Sequence, residues 1–185
     1  MFKQLLPGAI AAVVLFSMPL GAKDAPAPAP TAPPELAQLT YFEGNWSCTG
    51  KAFANPMSPE HATAATVHSS NAVGGRWLHI TYDETKTTAN PMPYHVGVYM
   101  GFDAAKKTFV DTCADNFGGY CLETSSGWKG DTMIFEGMSN ADGKQFAGRD
   151  TFTKKSATEF THAGDMQSED KKWMRTDEET CRKGK

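Results

Sequence analysis

The chain has 185 residues, 40% of them hydrophobic and 21% charged, with a formal net charge of -3, 17 glycines and 11 prolines. This is the composition of one ordinary globular domain rich in turns. The acidic balance leaves no basic excess to neutralise phosphates, so nucleic acid is not an expected partner.

The N-terminus reads as an export signal over residues 1–22. Lys3 supplies the positive start, Leu5 to Leu20 is apolar but broken by Pro7, Gly8 and Pro19, and Gly21-Ala22 offers small residues for cleavage. The breakers and the missing charged stop-transfer flank favour a cleaved secretory signal over a spanning helix. The expected destination is the periplasm or the medium, with no membrane span after cleavage. Residues 23–34, KDAPAPAPTAPP, form an Ala/Pro-rich linker too extended and too poor in large apolar groups to join a core. The folded domain is expected over residues 35–185.

Glu35 to Phe42 carries apolar residues at Leu36, Leu39 and Phe42, which predicts a short helix before the first strand. Strand patterns then dominate. Arg76 to Tyr82 places Trp77, His79 and Thr81 on one face and Leu78, Ile80 and Tyr82 on the other. Val96, Val98, Met100 and Phe102 alternate with His95, Gly97, Tyr99 and Gly101. Further strands are expected at Phe109–Asp115, Met133–Glu136, Gly148–Thr153, Glu159–His162 and Trp173–Arg182. They are separated by turn chemistry, of which Asn140-Ala-Asp-Gly143, ending in Asp-Gly, is the strongest hairpin signal. Strands at about ten-residue spacing predict an all-β, antiparallel sandwich or up-and-down barrel. Short sequential hairpins and glycines beside strands (Gly74, Gly75, Gly97, Gly101) favour the barrel.

Cys48, Cys113, Cys121 and Cys181 are an even set in an exported chain and read as two disulfides, for which three pairings exist. Structural zinc is not expected, because no C-x-x-C occurs and no His stands at ligand spacing from a Cys. The sequence holds no phosphate loop, dinucleotide fingerprint, haem-attachment motif or nucleophile elbow, and it calls for no metal and no cofactor. Asn140 to Gly143 fails as a calcium loop, since Met138 and Arg149 occupy the first and twelfth ligand positions.

Phe42-Glu-Gly44-Asn-Trp46-Ser-Cys48, a Gly-x-Trp on the first strand after a helical turn, resembles the lipocalin and fatty-acid-binding-protein superfamily. Gly74-Gly-Arg-Trp-Leu78, Gly101-Phe-Asp103, Asp111 or Asp115, and Glu179-Thr-Cys-Arg182 follow in the order of a family of lipocalin-like domains of unknown function in exported bacterial proteins. The resemblance implies a closed or nearly closed barrel with a short N-terminal helix. It also implies that Trp46 plugs one end, with Arg175 or Arg182 lying across it. In such a barrel the first and last strands are neighbours, so Cys48 is expected to pair with Cys181, and Cys113 with Cys121 across one hairpin.

A barrel offers an interior for a small apolar or amphipathic molecule. The candidate lining residues are Trp46, Trp77, His79, His95, Tyr99 and Arg149. His79 and His95 would orient a ligand if they face in; facing out, they are water-bonded surface histidines. Arg149 facing in would attract an anionic head group, and facing out it is a surface ion-pair partner. Asp111 and Asp115 share a face with Cys113 and are expected to point outward beside a turn. The alternative readings are a hydrolase or isomerase using a His/Asp pair in the barrel, or a haem-binding barrel. The sequence does not indicate an oligomeric state.

Overall fold

The computed structural model describes residues 31–55 and 58–184. The signal reading over 1–22 and most of the linker lie outside the described residues. Among the described residues the chain opens with a 3-10 helix, Pro34–Phe42, and continues as ten strands. They are β1 (Gly44–Ala52), β2 (His61–Ala72), β3 (Trp77–Glu84), β4 (His95–Asp103), β5 (Thr108–Asp115), β6 (Tyr120–Ser125), β7 (Thr132–Ala141), β8 (Lys144–Ser156), β9 (Glu159–Gln167) and β10 (Trp173–Lys183).

Every neighbouring pair is antiparallel, and β1 pairs with both β2 and β10, so the meander closes into a ten-stranded barrel. The lipocalin-like, all-β architecture is therefore as the sequence predicts. Two strands were not separately legible. β2 turns Thr63, Ala65 and Ser69 inward, small or polar residues that give no hydrophobic period. β6 alternates Cys121, Glu123 and Ser125 inside with Tyr120, Leu122 and Thr124 outside, so its apolar residues mark the wrong face.

One half of the interior is packed. Leu39 and Phe42 of the 3-10 helix sit with Trp46, Met100, Phe109, Met133, Phe135 and Phe160, each no more than 5% exposed. Trp46 donates its indole N–H to the Phe42 carbonyl at 2.8 Å and meets Phe160 edge-on at 4.8 Å between ring centroids. Gly44, at φ 110, makes the turn from helix to strand, a conformation that a side chain would strain. The loop after β6 clamps the helix from outside: Trp128 stacks on Phe42 and donates its indole N–H to the Gln38 carbonyl at 3.0 Å. The plugging role implied for Trp46 thus holds, but neither arginine lies across it. Arg182 pairs with Glu159 at 2.8 Å and Arg175 with Asp165 at 2.8 Å. The cation over the Trp46 ring is Lys183, 5.1 Å from the centroid, because Lys183 is the residue in register with Trp46.

Both disulfides join directly opposed residues of neighbouring strands. Cys48–Cys181 ties β1 to β10, and Cys113–Cys121 ties β5 to β6. On the loop-entropy model the first bridge, closing 133 residues of separation, stabilises by about 5 kcal/mol and the second, closing 8, by about 2.6 kcal/mol. We expect the paired substitution Cys48→Ala/Cys181→Ala to lower the guanidinium unfolding free energy by about twice as much as Cys113→Ala/Cys121→Ala. Equal losses would show that closure does not depend on the β1–β10 bridge.

Candidate functional site

The two-residue period of a strand decides what the barrel encloses. In β5, Asp111 faces the same way as Phe109 and Cys113. In β10, Asp177 and Glu179 face the same way as Cys181. In β8, Asp150 shares the inner face with Phe152, and in β9, His162 shares it with Phe160. The second half of the interior is consequently lined by acids gathered around one histidine.

His162 stands at the centre of this cluster. Its Nε2 donates to Asp150 at 2.9 Å and its Nδ1 to Asp177 at 3.2 Å. Burial disfavours the charge, but the hydrogen bonds and charges of the two carboxylates outweigh it and hold the imidazole protonated well above its ordinary range. In return, the imidazolium overcomes the burial of Asp177 and keeps that carboxyl below its usual value. Glu179, the residue in register with His162, accepts a hydrogen bond from the Tyr82 hydroxyl at 2.8 Å, made across the barrel from β3. Burial raises both of these groups.

Asp111 and Glu123 lie opposite one another on β5 and β6 and are only 3% and 2% exposed. Burial, with the nearby charge of Asp150, lifts the Asp111 carboxyl well above the carboxylate range. Glu123 is pushed up to about 9 by burial first, then by Asp150 and Asp111, with the Ser139 hydroxyl pulling the other way. Neither Asp111 Oδ1 nor Glu123 Oε2 has a hydrogen-bond partner. Gly148 makes room for this pair: a Cβ there would stand 2.6 Å from Glu123 Oε1 and from Ser139 Oγ.

This half is not packed solid. The side chains of His162, Asp177 and Asp150 point inward yet keep 21%, 31% and 34% of their surface. Ile80, Tyr82, Val96 and Val98 on the inner faces of β3 and β4 are likewise only half-buried. These groups border a water-accessible hollow, apolar on one wall and acidic on the other. At its mouth Glu84 accepts from His61 at 3.0 Å, from Asn90 at 2.7 Å and from the Tyr94 backbone N–H at 2.9 Å, which pins the loop between β3 and β4. Tyr94 lies against Tyr82 and stacks on the exposed Phe117.

Of the six expected lining residues, Trp46 alone faces inward, and it is buried in the packed half, away from the hollow. The other five are on the outer face, which corrects the inward expectation. Leu78 and Ile80 pair with Met100 and Val98 inside, so Trp77, His79 and Tyr99 fall outside. Trp77 lies over Gly101, where a Cβ would meet its ring at 2.7 Å, and His79 stacks on Tyr99 at 4.5 Å. His95 pairs with Asp83 at 2.9 Å, both exposed. Arg149 holds Asp165 at 3.0 Å and lies 4.3 Å over the Trp173 ring. The expectation that Asp111 points outward is also overturned. Asp115 keeps its turn role, capping the Phe117 and Gly119 N–H groups at 2.8 Å each.

A family model described as "Protein of unknown function (DUF1579)" matches residues 31–183. The chain belongs to this family. The DUF1579 barrel also resembles a solved structure, the Rv2717c protein of M. tuberculosis, with a TM-score of 0.66 and 15% sequence identity over 84% of this chain and 100% of that one. At that identity the likeness is one of fold. A search of curated proteins finds no match.

The acid cluster has a signature in pH. Glu123 keeps in the folded state a proton that the unfolded chain releases above about 4.5, so its stabilisation is full below that value and is lost as pH climbs toward about 9. His162, raised above 6.5, acts in the same direction at higher pH. Asp177, lowered from 3.8, stabilises above that value and loses its contribution in acid. We expect the melting temperature to fall between about pH 5 and pH 9. Glu123→Gln should flatten this fall, by at most ~1.4 kcal/mol per pH unit for the one retained proton. An unchanged slope in the variant would place that proton elsewhere.

Proposed function

We propose that this protein is an exported binding protein whose barrel interior holds a small amphipathic molecule. One observation carries the reading: His162, bridging Asp150 and Asp177, keeps part of its surface toward a hollow whose other wall is Ile80, Val96 and Val98. Apolar walls with a few convergent polar groups are the usual make-up of a small-molecule site. Burying this many acids lowers stability unless something else requires them there. Export is supported by the two disulfides, which persist in oxidising compartments, and by the apolar N-terminal sequence. Among the described residues no helix is long and apolar enough to cross a membrane.

A second reading, acid–base catalysis on the same residues, draws on the same geometry. A His within hydrogen-bond reach of two carboxylates, beside carboxyls held protonated, is the separation of protonation states that an isomerase or hydrolase uses. The haem reading gains nothing from His162, since both its ring nitrogens already carry carboxylates.

Native mass spectrometry of protein purified from its own host tests the binding reading. The expected spectrum contains a bound small molecule that His162→Leu loses while the variant still folds by circular dichroism. Wild type free of any bound mass, or retention of the molecule by the folded variant at wild-type occupancy, would count against this site.

A further inference from the structure

The mouth of the barrel gathers exposed apolar side chains on two adjacent loops. The loop between β3 and β4 runs from Thr85 to Tyr94, and the turn between β5 and β6 from Asn116 to Gly119. Lys86 is the one charged residue in either. At their tips Met92 and Phe117 are 70% and 58% exposed. Across the mouth the turns are charged instead: Asp142 and Lys144 stand at the β7–β8 turn, and Glu169 to Lys172 at the β9–β10 turn, all exposed.

The two loops form one ledge, joined through Asn116. Its Oδ1 accepts from the His95 backbone N–H at 2.9 Å, its own backbone N–H donates to the His95 carbonyl at 3.0 Å, and its Nδ2 donates to the Pro93 carbonyl at 3.0 Å. Phe117 stacks on Tyr94 with 6.3 Å between ring centroids. Glu84 holds the side chain of Asn90 and the backbone N–H of Tyr94, and Pro91 and Pro93 restrict the backbone on either side of Met92. Asp83 and Asp115 flank the ledge, the first paired with His95 and the second capping the turn. Met92 and Phe117 are thus fixed in water at loop tips, where they give little to the core, and removing such groups from water is favourable in proportion to their area.

The charge and shape of the ledge select its partner. With Lys86 as the one charge on its loops, it offers little to a strongly anionic or cationic surface. At their exposures Met92 and Phe117 offer roughly 300 Å² of apolar surface, far below the roughly 1,200–2,000 Å² total of a stable protein–protein contact. Projecting apolar tips backed by a tyrosine suit the boundary between lipid headgroups and acyl chains, where amphipathic rings rest at headgroup depth. We propose that this rim is a membrane-docking surface: Met92 and Phe117 insert into a zwitterionic lipid bilayer, and Tyr94 lies at the level of the headgroups. Tyr94 also lies against Tyr82, so docking turns the mouth of the barrel toward the lipid. It does not require a molecule in the hollow.

Flotation with phosphatidylcholine vesicles tests this, using the chain from residue 23 onward, which holds the whole closed barrel and lacks the apolar residues 1–22. The wild type is expected to float with the vesicles and to keep doing so as salt is raised, because the contact is apolar. Met92→Ser/Phe117→Ser, with folding checked by circular dichroism, should lower the partition at least about tenfold. Leu122→Ser removes an equally exposed apolar side chain from the flank of the barrel and should leave the partition unchanged. A wild type that stays with the soluble fraction would overturn the proposal, as would a double variant that floats like the wild type. Equal loss in Leu122→Ser would move the contact to the flank. Binding confined to phosphatidylglycerol vesicles and abolished by salt would make it electrostatic and overturn the apolar insertion. A dimer in sedimentation velocity that the double variant dissociates would assign the tips to a second copy of the chain instead.

Discussion

Closure of the sheet on itself is the constraint from which the rest of this molecule follows. β1 is hydrogen-bonded to β2 on one side and to β10 on the other, and its register with β10 runs from Trp46 opposite Lys183 to Ala52 opposite Asp177. A closed barrel has no free edge, and every strand then has an inside and an outside alternating residue by residue. At the seam this alternation puts Trp46 and Cys48 inside from β1, and Asp177, Glu179 and Cys181 inside from β10. An open sheet would leave those acids in water, where they would be ordinary surface carboxylates. Inside the wall they perturb one another.

The interior is divided, and the division is physical rather than nominal. Toward the 3-10 helix, rings and methionines pack to near-zero exposure and supply the burial that holds the fold. Toward the other end the inner residues turn acidic and keep partial exposure. The stability of one half offsets the electrostatic strain of the other. The covalent links sit where this matters: Cys113–Cys121 lies beside Asp111 and Glu123, and Cys48–Cys181 beside Glu179.

The barrel was legible in the sequence because turns and β-rich runs recur at short, regular spacing and the Gly-x-Trp of Gly44 to Trp46 follows a helical turn. Which face was inside was not. Trp77, His79 and Tyr99 look like pocket residues, yet the larger aliphatics of the same strands, Leu78, Ile80 and Val98, took the interior and turned the aromatics out over Gly101 and Gly97. Arg149 went outward because Asp165, at a bulge in the β9–β10 pairing, is held there by two arginines. One signal was present and would have found the acids. Each cysteine of an internal cross-strand bridge fixes the inner face of its strand, and residues two and four away share it. Cys113 points to Asp111, Cys121 to Glu123, and Cys181 to Glu179 and Asp177. His162, two residues from Phe160, needed the three-dimensional pairing, because a lone histidine in a short strand carries no sign of which face it takes.

The acid cluster is built into the backbone as well as into the side chains. Gly148 faces Gly137 across the β7–β8 pair and leaves the space that the Glu123 and Ser139 side chains fill. Gly164 faces Asp177 across the β9–β10 pair, and a Cβ there would collide with that carboxyl. Inward glycines in the middle of strands weaken a sheet and give nothing to a packed core. Their presence opposite buried acids means that the strands give up packing to admit charge. A barrel selected for stability alone would fill those positions with aliphatic side chains and dispense with the acids. The pairing of missing side chains with buried carboxyls therefore places the unusual chemistry of this molecule on the acidic inner wall rather than on the outer aromatic row.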